Sequence, residues 1–181
     1  HGTRFADFDG DSLIDIIHIY TNVTFATSTI FFNNGDGSWA TTTADDISTH
    51  YLTRQYGDDS GNRIIDHEGD GLADLSSDGG GVVKKNSDSG NNFSTDSTYT
   101  NPVNFSRCSV YPAGCAWLGT YFMDLNGDGL VDIAKQYDGS SPHTDGDGIY
   151  FNDGSDWVAS TTLDIPVALA RNYDSQDGVD N

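Results

Sequence analysis

One acidic nine-residue segment is written three times in this chain. Asp7-Phe8-Asp9-Gly10-Asp11-Ser12-Leu13-Ile14-Asp15 is followed by Asp66-His67-Glu68-Gly69-Asp70-Gly71-Leu72-Ala73-Asp74 and by Asp124-Leu125-Asn126-Gly127-Asp128-Gly129-Leu130-Val131-Asp132. The copies begin 59 and 58 residues apart, a period that points to a series of similar units rather than one continuous core. Within each copy, oxygen-bearing residues at positions 1, 3, 5 and 9 converge if the backbone wraps tightly around one point. Position 4 is always Gly and position 6 is Gly twice, which permits the positive φ such a wrap needs. Position 7 is always Leu, whose carbonyl is a natural further donor and whose side chain is expected to point inward as an apolar plug.

Six to eight hard oxygen donors in a flexible wrap suit Ca2+. The expected ligands are Asp7, Asp9, Asp11, Leu13 and Asp15 in the first loop. They are Asp66, Glu68, Asp70, Leu72 and Asp74 in the second, and Asp124, Asn126, Asp128, Leu130 and Asp132 in the third. A single Asp-Gly cluster is equally an ordinary turn; three copies in register select the metal loop, and three Ca2+ sites are expected. Glu68 is a longer acid at position 3 and marks the second site as the weakest. An EF-hand is disfavoured. Position 12, where that motif needs Glu, holds His18, Ser77 and Lys135, and an apolar strand-like run follows each loop instead of a helix.

The net charge is −20, and of the 28 acids all but Glu68 are Asp. Asp favours turns over helices. Three bound Ca2+ would bring the charge to about −14. Eight Lys and Arg without a patch give phosphate no electrostatic footing, so nucleic acid is excluded as a partner. No run of about 18 apolar residues exists to span a membrane.

Cys108 and Cys115 flank Tyr111-Pro112-Ala113-Gly114, where a turn can bring them to disulfide distance; two free thiols are the alternative. With no His nearby they do not make a zinc site. Asn22, Asn92 and Asn104 begin N-glycosylation acceptor patterns.

Beyond each loop the units continue alike. Ile30-Phe31-Phe32-Asn33-Asn34-Gly35-Asp36-Gly37-Ser38-Trp39 matches Ile149-Tyr150-Phe151-Asn152-Asp153-Gly154-Ser155-Asp156-Trp157. The second unit offers Val82-Val83-Lys84-Lys85-Asn86 and, after a polar turn, Asn92-Phe93. Each reads as a hairpin closed by an aromatic residue. The Thr-rich runs 40–43 and 160–162 read as strands. The expected fold is all-β, with three repeats of about four short antiparallel strands. They occupy 1–62, 63–118 (irregular near the cysteines) and 119–181. One unit cannot cover both faces of its sheet; stacking neighbours does.

The Asp-x-(Asp/Asn)-Gly-Asp-Gly-Leu-x-Asp loop, followed by an apolar strand and an aromatic-Asn-Asn-Gly-Asp-Gly hairpin, resembles FG-GAP/VCBS-type repeats across the whole chain. The resemblance implies β-propeller-like blades with Ca2+ in the loop between successive strands. The literal FG and GAP words are missing, Ser12 replaces the second Gly, and the second unit is irregular. Three blades do not close a propeller. Residues 171–180 match 54–63, the stretch before a loop, so the array is expected to continue, in a longer chain or head to tail in copies of itself.

Two signals point elsewhere. Gly10-Asp11-Ser12-Leu13 spells the GDSL word of an esterase family, with Asp15-Ile16-Ile17-His18 as its DxxH, but that family places DxxH near the far end of its domain. In register, Ser12 stands where Gly71 and Gly129 stand. The histidines, His1, His18, His50, His67 and His143, form no paired pattern. Trp39 and Trp157 recur at one hairpin position, as core first and sugar platform second.

The expected function is a non-enzymatic, calcium-stabilised structural or adhesion module, secreted or on a cell surface. Its expected partners are neighbouring repeats, copies of itself or a cell-surface protein. A carbohydrate-binding, lectin-like propeller fragment and a subunit of an extracellular fibre are the alternatives.

Overall fold

The computed structural model describes residues 2–21, 26–44, 47, 52, 60–78, 82–87, 92–108, 115–138 and 146–171. The first sheet joins β1 (Gly2–Ala6), β2 (Asp15–Thr21), β3 (Ala26–Asn33) and β4 (Trp39–Thr43). The second joins β5 (Arg63–Ile65), β6 (Asp74–Ser76), β7 (Val82–Asn86) and β8 (Phe93–Thr100). A two-stranded ribbon follows, β9 (Ser106–Cys108) with β10 (Cys115–Trp117). The third large sheet joins β11 (Thr120–Met123), β12 (Asp132–Lys135), β14 (Gly148–Asn152) and β15 (Trp157–Ala159). A short parallel pair, β13 (Tyr137–Asp138) and β16 (Ala170–Arg171), lies beside it. Each large sheet is antiparallel, with strands paired in chain order. The chain is all-β in three four-stranded sheets, and no helix among the described residues is long and apolar enough to cross a membrane.

Alternation explains β2. Ile17 and Ile19 are buried while Ile16 and His18 are half-buried on the other face. By contrast β6 (Asp74-Leu75-Ser76) and β12 (Asp132-Ile133-Ala134-Lys135) are buried at every residue, so both their faces are covered. Two apolar cores account for this. The first joins Phe8, Ile17, Ile19 and Ile30 of the first sheet and its loop to Ala73, Leu75 and Phe93 of the second. The second joins Val83, Tyr99, Val103 and Phe105 to Ile133 and Trp157 of the third unit. Each core thus belongs to a pair of neighbours. Burying each such side chain is worth about 1.5–3 kcal/mol, and no sheet could gain that alone.

The three hairpins close in the same register, with Asn33 opposite Trp39, Asn86 opposite Phe93 and Asn152 opposite Trp157. The Thr-rich run 40–43 lies in β4, but the run 160–162 is not strand. The Ser160 hydroxyl accepts the N–H groups of Thr162 at 3.3 Å and Leu163 at 3.0 Å, a local turn that competes with the ladder. Cys108 and Cys115 are directly opposed Cα partners in β9 and β10. Opposed antiparallel residues lie about 4.5–5.5 Å apart at Cα, inside the range a disulfide accepts; the bond itself rests on side chains outside the described set. Of the glycosylation patterns, Asn22 falls outside the described residues, while Asn92 and Asn104 are exposed.

Candidate metal-binding loops

The three acidic loops fold alike, and their backbone is held by their own carboxylates. Position 1 accepts the N–H groups of positions 4 and 6 in every copy. Asp7 takes Gly10 and Ser12, both at 2.7 Å. Asp66 takes Gly69 and Gly71, both at 2.8 Å. Asp124 takes Gly127 at 2.6 Å and Gly129 at 3.0 Å; these contacts hold its carboxyl below its ordinary value of 3.8. Position 5 accepts the position-7 N–H, as Asp11 does from Leu13, Asp70 from Leu72 and Asp128 from Leu130, at 2.8–2.9 Å. Position 6 has positive φ throughout: Gly71 at 90°, Gly129 at 91° and Ser12 at 69°. Ser12 is therefore a turn residue in the left-handed region. Of the GDSL-type residues, His18 Nδ1 lies 2.9 Å from Thr3 Oγ1, and Asp15 holds backbone N–H groups.

Position 9 is fully buried in all three loops. One oxygen accepts the N–H of position 2 and the other the N–H of the asparagine that ends the third strand. Asp15 binds Phe8 and Asn33, at 2.9 and 2.8 Å. Asp74 binds His67 at 3.1 Å and Asn86 at 2.7 Å. Asp132 binds Leu125 and Asn152, both at 2.8 Å. These three carboxylates, among the expected ligands, also tie each loop to its hairpin. The position-7 leucines are half-buried, and two of them reach the preceding unit. A methyl group added at Gly10 would come within 3.1 Å of Leu72, and one at Gly69 within 2.8 Å of Leu130. Each of these leucines lies on the glycine of the preceding unit's loop.

At the mouth of the first loop stand Asp7, Asp9 and Asp11, whose carboxylate oxygens gather within 4.8 Å of one another. Bonds of about 2.4 Å to one central ion span that distance, so the set fits Ca2+. Partial burial, and then the charges of Asp15, Asp11 and Asp7, raise the Asp9 carboxyl above 3.8. A cation would relieve that crowding. In the third loop Asn126 Oδ1 accepts the Asp128 N–H and its Nδ2 donates to Asp128 Oδ2, both at 2.8 Å. Asp124, Asn126 and Asp128 offer two carboxylates and one amide oxygen on the same wrap.

The second loop differs. Glu68 Oε1 is paired with the Lys85 ammonium, and Oε2 lies 3.2 Å from His67 Nε2. Its carboxylate gathers with His67 and Asp96. The His67 ring is fully buried, with Nδ1 in a close contact to Asp74 and Nε2 3.4 Å from Asp96.

Sequence reasoning missed the residues that join the units. Asn86 Nδ2 donates to the Phe8 carbonyl at 2.8 Å, and Asn152 Nδ2 donates to the His67 carbonyl at 2.5 Å. The acceptor is position 2 of the preceding loop both times. The Tyr99 hydroxyl supports the second contact, 2.9 Å from Asn152 Oδ1 and 3.3 Å from the His67 carbonyl. Burial pushes this phenol up to about 12, so it stays protonated. The recurrence of Asn33, Asn86 and Asn152 at one hairpin position was the available signal.

No protein-family model matches the chain, and no curated protein sequence matches it. Among solved structures it is similar to one described as the specific recognition of non-reducing terminal N-acetylglucosamine by a lectin of Agrocybe aegerita, with a TM-score of 0.54 and 21% identity. The likeness covers 89% of this chain and 38% of the lectin chain, so the sequence spans less than half the length of that structure.

Proposed function

We propose that the chain is part of a glycan-binding β-repeat protein, a lectin, whose three sheets are consecutive propeller-like blades and whose acidic loops are braced by calcium. The observation that carries this reading is the likeness, across nearly the whole chain, to a lectin that recognises a terminal sugar. This places glycan recognition ahead of the purely structural or adhesive role. Surface chemistry supports it. A sugar is bound by an aromatic ring against its C–H face and by convergent acceptors for its hydroxyls. Trp39 is 46% exposed and Tyr121 is 43% exposed, the latter edge-on to Trp117 with ring centroids 5.0 Å apart. Trp157, the hairpin counterpart of Trp39, is buried against Tyr99 and serves the core. Acidic, Asn-rich loops supply acceptors in quantity. Secretion or surface display, where glycans are met, fits this role.

A glycan array followed by calorimetry, with terminal N-acetylglucosamine as the first ligand, tests the proposal. Binding that falls at least tenfold on Trp39→Ala or Tyr121→Ala supports it. Absence of binding to every glycan at millimolar concentration sinks it.

A further inference from the structure

We infer that the second acidic loop carries its own cation, the Lys85 ammonium, and takes no calcium, so that the chain holds ions in its first and third loops only. The inference rests on the calcium reading of those loops and deepens it.

The second loop keeps the backbone of the other two. Asp66 accepts the N–H groups of Gly69 and Gly71, and Asp70 that of Leu72, as their counterparts do. What changes is the charge at the mouth. Lys85 stands on β7 immediately before Asn86, where the other units have Phe32 before Asn33 and Phe151 before Asn152. Its ammonium pairs with Glu68 Oε1 and lies 3.8 Å from Asp70 Oδ2, touching positions 3 and 5 of the loop.

Glu68 is the only glutamate in the chain, and its extra methylene carries the carboxylate toward Lys85 and His67. In the first loop the carboxylates of positions 1, 3 and 5 face one point. In the second, position 3 has joined His67 and Asp96 instead. Among the described residues, no Lys or Arg pairs with Asp7, Asp9, Asp11, Asp124 or Asp128. The donor set of the second loop therefore does not fit Ca2+: the position-3 carboxylate is paired elsewhere, and a fixed positive charge sits beside Asp70. Glu68 and Lys85 form one ion pair that keeps the loop folded without an ion.

Counting bound Ca2+ by native mass spectrometry tests this on the whole chain. Asp11→Asn and Asp128→Asn are expected to lose one ion each, and Asp70→Asn none. The double variant Glu68→Asp/Lys85→Phe, which gives these two positions the residues of the first unit, is expected to gain one. Loss of an ion on Asp70→Asn overturns the inference even if the double variant fails to fold. If none of the three Asp→Asn variants changes the count, the calcium reading itself is what fails.

Discussion

Asn86 donates its side-chain amide to the carbonyl of Phe8 at 2.8 Å, across 78 residues and across the boundary between two units. Both groups are buried, and removing the donor leaves the carbonyl without this partner. Asn86→Ala and Asn152→Ala are each expected to cost about 1–3 kcal/mol. Asn152→Ala is expected to cost more, because Asn152 Oδ1 also meets the Tyr99 hydroxyl while Asn86 Oδ1 is buried without a partner. Among the described residues Asn33 Nδ2 reaches the Ile14 carbonyl of its own unit, at 3.4 Å in an exposed setting, and Asn33→Ala should stay within about 0.5 kcal/mol. Urea unfolding of the three variants checks the ranking.

Asp132 is a bolt and not an ion ligand if its two N–H contacts carry its role. Asp132→Asn turns one acceptor into a donor facing a backbone N–H and should cost about 2–3 kcal/mol. The loss should be the same in EGTA as in calcium. A loss seen only with calcium present would return Asp132 to the metal.

Ser12 occupies a left-handed position that its counterparts fill with glycine. That conformation costs an L-residue about 1–2 kcal/mol, against roughly 0.5–1 kcal/mol for the extra freedom glycine loses on folding. Ser12→Gly should therefore stabilise the chain by about 0.5–1 kcal/mol, read from the urea midpoint.

Asp36 and Asp153 occupy equivalent hairpins. The Ser38 hydroxyl and N–H hold the first carboxyl below 3.8, and the Ser155 hydroxyl and N–H, with the Asp156 N–H, hold the second. A depressed folded value means the contribution is present above 3.8 and is lost as pH falls through the folded value. Wild type should lose more stability between about pH 5 and pH 3 than the Asp36→Asn/Asp153→Asn variant. Parallel pH profiles would remove these hairpins from the acid limb.

Calcium should raise the melting temperature over that in EGTA. Each site saturated at a hundredfold excess over its dissociation constant adds about 2.7 kcal/mol. Identical calorimetric scans in calcium and EGTA would refute the brace.

The period-2 and loop signals made the architecture legible. Four strands per unit, the hairpin registers and the gathering of Asp7, Asp9 and Asp11 all follow from spacing and residue type. The hydrogen bonds of position 9 to the asparagine that ends the third strand, at Asn33, Asn86 and Asn152, were not legible, because they depend on where that strand ends. Trp39 and Trp157 share a sequence position yet differ in burial, since only Trp157 has a preceding unit among the described residues to pack on. Lys85 was visible as a departure from Phe32 and Phe151, but its meaning required knowing that β7 runs past the loop mouth.

The clamps from Asn86 and Asn152 set a reading frame of their own. Each ties the loop that opens one unit to the strand that nearly closes the next, so the segment that melts together is offset from the segment that repeats. The clamps span residues 8–86 and 67–152 and overlap, so a cut anywhere between residues 8 and 152 severs at least one. An ion arriving in the first loop would be felt first in the hairpin of the second.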